Sequence, residues 1–147
     1  MVQKKKKNKN LAVKFLGCLT KKGKKSVFRR IFSNSVNVVC KTLKFKSGFL
    51  MKKVSRNLGT LVEIRKVRIR RNTYLVPVLV NSSRRNYLIT KNILDSVNKN
   101  SLKIPLEVRL SKELITIVRK KNSTTLNEKV KTLKEAAKNK SNTHFRW

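Results

Sequence analysis

Between Leu61 and Val80 the chain reads LVEIRKVRIRRNTYLVPVLV, and no other long stretch reads as β. Val62, Ile64, Val67 and Ile69 mark its first half, and Tyr74, Val76, Val78 and Val80 its second. β-Branched and aromatic side chains suit a pleated surface. Arg70, Arg71 and Asn72 fall between the halves, which predicts a β-hairpin with a basic tip. Arms of about seven residues at ~3.3 Å each would reach about 20 Å. Arg65, Lys66, Arg68, Arg70 and Arg71 crowd one arm and the turn, with Glu63 as the only acid. An isolated hairpin is marginal in water, so this one must rest on a body or be ordered by a partner. The rest of the chain therefore has to supply that body.

The rest reads as helices. Leu11, Phe15, Cys18 and Leu19 predict a short helix over 10–21. Gly23 then permits a turn, and Ser26 is expected to cap the second helix. Phe28, Phe32, Val36, Val39 and Leu43 form one stripe of that helix, over 26–45, widened by Val27, Ile31 and Val38. Ser47-Gly48 is expected to break it. Leu50, Val54 and Leu58 mark a third helix, ended by Gly59. Pro77 in the returning strand cannot donate to a ladder, so that face should be an edge.

Asn81-Ser82-Ser83 reads as a turn and cap, after which Arg84-Arg85-Asn86 opens a helix with the stripe Ile89, Ile93 and Val97. Asn98 to Ser101 reads as a turn. Pro105 suits the first position of a helix carrying Leu106, Leu110, Leu114 and Val118. Thr125 and Glu128 fit a capping box for a last helix with the stripe Leu126, Val130, Leu133 and Ala137. The expected fold is mainly α: a compact bundle of about six helices with one protruding basic β-hairpin. Residues 1–10 read as a disordered basic arm, and 11–147 as a single domain with hairpin 61–80 and C-terminal tail 139–147.

Charge narrows the function. Lys and Arg number 39 against 6 Asp and Glu, a formal net charge of +33. Self-repulsion on that scale opposes compaction, so the free chain is expected to be marginally folded and to gain order on a polyanion. A membrane-surface protein would concentrate its charge in one amphipathic segment. Here it is spread over the arm, the hairpin and the polar helix faces, as suits a protein embedded in nucleic acid. No apolar run approaches the roughly 20 residues of a transmembrane helix, and no membrane partner is expected. The arm has neither the apolar run of a secretory signal nor the arginines of an ordinary transit peptide.

Chemistry is not expected. Six scattered acids, one histidine and no nucleophile beside a base exclude an enzyme reading, and no cofactor is implied. Cys18 and Cys40 lack metal-ligand spacing and lie far from His144, so no metal site is expected and both read as small buried hydrophobes. Gly23-Lys24 beside Ser26 lacks the upstream glycine spacing and strand of a phosphate loop. A lysine turn gripping a phosphate backbone is the better reading.

The cationic clusters supply the candidate contacts. Lys4, Lys5, Lys6 and Lys7 lie in the arm, Lys24 and Lys25 in the turn, and Arg29 and Arg30 on the second helix. Arg84 and Arg85 sit at a helix N-terminus, where cations oppose the dipole unless phosphates neutralise them. These ten residues are the expected RNA clamps. Arg65, Arg68, Arg70 and Arg71 would serve the hairpin, with Tyr74 stacking. His144, Phe145, Arg146 and Trp147 end the chain and are expected to dock by stacking or cation–π contact. A histone-like architectural binder is the competing class, using the same charge and a minor-groove hairpin. It would not require an ordered aromatic tail.

Several stretches occur in one order from residue 11 to 147: Gly23-Lys24-Lys25-Ser26, Val62-Glu63-Ile64, Thr73 to Val78, Arg84-Arg85-Asn86, and Asn139-Lys140 through His144-Phe145-Arg146-Trp147. In these the sequence resembles the S-seven family of small-subunit ribosomal proteins. The resemblance implies binding to the 3′ major domain of small-subunit rRNA and nucleation of head assembly. It implies a hairpin near the exit-site tRNA and the mRNA path, and a C-terminal region near neighbouring ribosomal proteins of head and platform. Arg70 and Arg71 stand where the family usually carries a glycine pair. Lys52, Lys53 and Arg56 stand on a helix that is often acidic in the family. The stretch before the first helix is shorter than in bacterial members. The Phe145-Arg146-Trp147 ending and the divergent hairpin resemble mitochondrial members more than plastid ones, which implies a mitochondrial ribosome in the matrix; the Lys-, Asn- and Ile-heavy usage suggests an AT-rich gene, and the absence of an obvious presequence would fit a gene carried by the organelle.

Overall fold

The computed structural model describes residues 11–99, 103–121 and 123–146. The arm 1–10 with Lys4, Lys5, Lys6 and Lys7, and the terminal Trp147, lie outside the described residues.

Among the described residues the chain forms α1 (Leu11–Leu19), α2 (Lys25–Leu43), α3 (Ser47–Leu58), strands β1 (Val62–Ile69) and β2 (Asn72–Leu79), then α4 (Ser82–Lys99), α5 (Leu106–Arg119) and α6 (Thr124–Lys138). A 3₁₀ helix, Lys140–Phe145, closes the described chain. This is the mainly α bundle with one hairpin that the sequence predicts.

Helical stripes build the core. Leu11, Phe15 and Leu19 of α1 meet Phe32, Val36 and Val39 of α2, with the Phe15 and Phe32 rings stacked at 5.0 Å. Leu50, Val54 and Leu58 of α3, and Ile89, Ile93 and Val97 of α4, complete the walls. Leu110, Leu114 and Ile117 of α5 are almost wholly buried, and α5 packs on α2, α3 and α4. Burying each such side chain stabilises the fold by about 1.5–3 kcal/mol. Cys18 and Cys40 are free and half-buried rather than fully enclosed.

Several boundaries differ from the sequence reading. Ser26 does not cap α2: the N-cap is Lys24, with no side-chain cap bond, and the helix begins at Lys25. The break before α3 lies at Lys44, whose φ of 54° turns the chain, while Ser47-Gly48 opens α3. Helix α4 starts at Ser82 and reaches Lys99. Asn81 precedes it, its carbonyl accepting from the Arg85 N–H at 2.8 Å and its side chain from the Ser82 N–H at 2.7 Å. Pro105 is the N-cap of α5 rather than its first residue.

The α6 cap is Ser123, whose hydroxyl accepts from the Leu126 N–H at 3.2 Å. Thr125 is instead wholly buried, donating at 2.6 Å to the buried Glu113 carboxylate. The α6 stripe is not a core stripe either. Leu126 packs partly on the core, but Val130 and Leu133 are 48% and 43% exposed. The buried α6 residue is Thr125 because the helix lies against β1 and α4 at the rim of the bundle, not across its centre.

Strands β1 and β2 pair antiparallel from Val62↔Leu79 to Ile69↔Asn72, so a two-residue turn, Arg70-Arg71, makes the tip. Both strands are edges of a two-stranded sheet, which tolerates Pro77 opposite Ile64. Val76 is fully buried, while Arg68, Arg70, Arg71, Asn72 and Thr73 are exposed. The hairpin base is therefore seated and its tip projects.

Candidate nucleic-acid interface

Four cationic features stand out from this body. In the α1–α2 turn, Lys22 takes φ 49° and Gly23 φ 72°. Lys21, Lys22, Lys24 and Lys25 are all exposed. The first turn of α2 has no acid and no side-chain cap, so its amide groups and these lysines present one positive surface. Arg29 lies one helical turn beyond Lys25 and Arg30 beside it, both exposed. None of Lys24, Lys25, Arg29 and Arg30 makes a side-chain hydrogen bond or ion pair with the described residues.

The second feature joins α1, α4 and β1. Arg84 donates from Nε to Glu63 Oε2 at 2.9 Å and from Nη2 to Oε1 at 3.1 Å. Arg65 Nε reaches the same Oε1 at 3.2 Å. Hydrogen bonds from Arg84 hold the Glu63 carboxyl below its ordinary 4.5, against the opposing effect of burial, with Arg65 assisting. The Arg84 guanidinium also lies 5.1 Å from the Tyr87 ring centroid, and Lys14 Nζ lies 5.8 Å from it. The neutralising partner for Arg84 is thus an acid of the chain itself. Two arginines on one carboxylate, with Lys14 at the Tyr87 ring, still leave the patch positive. Sequence reading missed Lys14, because only the packing of α1 on α4 brings it there.

Arg85 plays a different part. It is half-buried, and its stem fills the space left by Gly59, where a Cβ would sit 3.4 Å from Arg85 Cδ.

The third feature is the hairpin tip. Arg70 takes φ 55°, a left-handed position that favours glycine. Arg68 Nε donates to the Arg70 carbonyl at 3.3 Å and braces the turn. The Arg68, Arg70 and Arg71 side chains remain exposed.

The fourth is the tail. The Tyr74 and Phe145 ring centroids lie 4.8 Å apart, and the His144 ring 3.9 Å from Phe145. Asn142 Nδ2 donates to the Leu75 carbonyl at 3.2 Å. Tyr74 is thereby engaged with the tail. Arg146 is exposed beside it.

Among the described residues no group of three or more His, Cys, Asp or Glu could hold a metal ion, and no helix is long and apolar enough to cross a membrane.

Comparison with known proteins identifies relatives along most of the chain. A family model described as ribosomal protein S7p/S5e matches residues 1–140. Small ribosomal subunit protein uS7m of Reclinomonas americana is 32% identical over 140 residues, covering 95% of this chain and 87% of that protein. Small ribosomal subunit protein uS7 of Desulforapulum autotrophicum is 31% identical over 141 residues, covering 96% and 90%. That of Hydrogenovibrio crunogenus is 32% identical over 135 residues, covering 91% and 85%. With a match running through the basic turn, the hairpin and most of the helical body, this chain belongs to the ribosomal protein S7p/S5e family.

Proposed function

We propose that the protein is a structural, non-catalytic constituent of the small subunit of a mitochondrial ribosome. In this reading it binds the 3′ major domain of the small-subunit rRNA and nucleates assembly of the head. Family membership supports the ribosomal role, and the similarity to a mitochondrial uS7m supports the compartment, the matrix. The observation that carries RNA binding is the unpaired cation surface running from the α1–α2 turn onto α2.

A-form RNA hides its base edges in a deep, narrow groove, so proteins grip phosphates, 2′-hydroxyls and junctions. Lys24, Lys25, Arg29 and Arg30 suit phosphates, and Lys4 to Lys7 would extend that grip. Arg84 and Arg85 would approach rRNA from the α4 entry, Arg84 with the half of its side chain that Glu63 leaves exposed. The hairpin tip, through Arg68, Arg70 and Arg71, would face the exit-site tRNA and the mRNA path, with Arg65 at its base. The exposed Val130 and Leu133 face of α6 and the tail support neighbouring ribosomal proteins of head and platform as partners.

The deciding experiment is crosslinking of the tagged protein in native extract after sedimentation, with sequencing of the attached RNA. Recovery in the mitochondrial small-subunit fraction with crosslinks in the 3′ domain is the expected result. Scattered RNA or DNA in other fractions would overturn the proposal in favour of an architectural binder.

A further inference from the structure

The α2–α3 corner carries a feature that the proposed clamps do not use. Phe49, in the first turn of α3, is 54% exposed although α3 has an ordinary buried stripe in Leu50, Val54 and Leu58. Its ring is not loose. It meets Phe45 edge-on, centroids 5.2 Å apart at 61°. Phe45 in turn packs against the core and lies 4.6 Å from Lys53 Nζ. A core-anchored ring with a cation 4.6 Å from its centroid thus props Phe49 outward.

The backbone at the corner is equally unusual. Lys44 takes φ 54° as the C-cap of α2, and its N–H bonds the Cys40 carbonyl. Left-handed caps favour glycine or asparagine because a side chain crowds the turn. All four non-glycine residues with positive φ among those described, Lys22, Lys44, Arg70 and Lys120, are cations at turns. Lys44 and Lys46 flank Phe45 in the corner, Lys52 and Arg56 follow Phe49 by three and seven residues on α3, all four are exposed, and no acid occurs in the chain before Glu63.

We infer that this corner binds a single-stranded nucleotide of RNA, its base stacked on Phe49 and its phosphate held by Lys44. An unpaired nucleotide offers a π-face and a negative charge together, which is the complement of a propped aromatic in a corner whose only charged residues are cations. An apolar protein partner would cover Phe49 but leave the lysines of this corner unneutralised. The inference rests on the rRNA-binding reading and adds a site to it.

The experiment is fluorescence anisotropy of the full chain on a labelled transcript of the 3′ major rRNA domain, at several salt concentrations, for wild type, Phe49→Leu and Lys44→Gly. Phe49→Leu should weaken binding about ten-fold with an unchanged salt slope, since stacking releases no counterion. Lys44→Gly should lower the salt slope by about one phosphate's worth while raising the thermal midpoint of the free protein. Wild-type affinity for Phe49→Leu on naked RNA overturns the stacking site, and if that variant is also lost from assembled subunits, a protein covers Phe49 instead. An unchanged slope for Lys44→Gly overturns the phosphate contact. Failure of the wild type itself to bind the transcript overturns the rRNA reading and this site together.

Discussion

Glu63 and Arg84, 21 residues apart in sequence, make a two-point ion pair at 2.9 and 3.1 Å that ties the base of the hairpin to the entry of α4. Glu63 is nearly enclosed, its side chain only 11% exposed, while Arg84 keeps 47% exposure. The pair orients a projecting arm from a buried foot. Its removal should therefore loosen the hairpin more than the helical core. Glu63→Gln is expected to cost about 1 kcal/mol, the half-exposed arginine screening part of the interaction. Thermal unfolding checks the magnitude, and hydrogen exchange in β1 and β2 checks the location.

The same pair sets a pH dependence. Arg84 hydrogen bonds hold the Glu63 carboxyl below 4.5 in the folded protein. A lowered folded value means that the stabilisation is fully present above about 4.5 and is lost as pH falls through the folded value. Wild type should thus lose stability relative to Glu63→Gln on acidification through that range. Parallel stability curves for the two proteins would contradict the assignment.

Gly59 is required by its surroundings. A Cβ there would lie 2.7 Å from the Ser55 carbonyl oxygen and 3.4 Å from Arg85 Cδ. Gly59→Ala must displace helix backbone as well as the arginine stem, and about 1–3 kcal/mol of destabilisation is expected. Denaturant titration with an unchanged m-value would measure it.

Thr125 and Glu113 form a buried hydrogen bond at 2.6 Å across the α5–α6 junction. Thr125→Val keeps the shape but leaves a buried carboxylate oxygen without its donor. The expected cost is about 1–3 kcal/mol. Ser123→Ala removes the N-cap bond to Leu126 and the 3.1 Å bond with Thr125 Oγ1 but leaves the Glu113 carboxylate its donor, and should cost about 1 kcal/mol. Chemical denaturation of both variants should preserve that order.

Lys24→Ala with Lys25→Ala removes two exposed cations that contribute nothing to packing. Stability should be unchanged or slightly higher, through relief of repulsion. Affinity for the 3′ rRNA domain should fall, and the salt slope should flatten by about two phosphates' worth. An unchanged slope would remove the α1–α2 turn from the interface.

Much of the fold is written in local pattern. The stripes of α1 to α5, the two arms 62–69 and 72–79, and the basic turn at 21–25 all arise from periodicity and from the placement of Gly23, Arg70 and Asn72. Periodicity identifies a face but not what lies opposite it. That is why the stripe of α6 ends exposed at Val130 and Leu133, and why Thr125, read as part of a cap, is a buried partner of Glu113.

By itself the sequence determined that amphipathic helices, about six of them, would form a bundle around one apolar core, that a single hairpin would project, and that 39 cations would need a polyanion. Tertiary structure alone decided that Glu63 would neutralise Arg84, that Lys14 would share the Tyr87 ring with Arg84, and that Phe45 and Lys53 would prop Phe49 into solvent. The reason is range: side-chain periodicity is fixed by the neighbouring turn of the same element, whereas charge pairing and burial depend on which distant elements packing brings face to face.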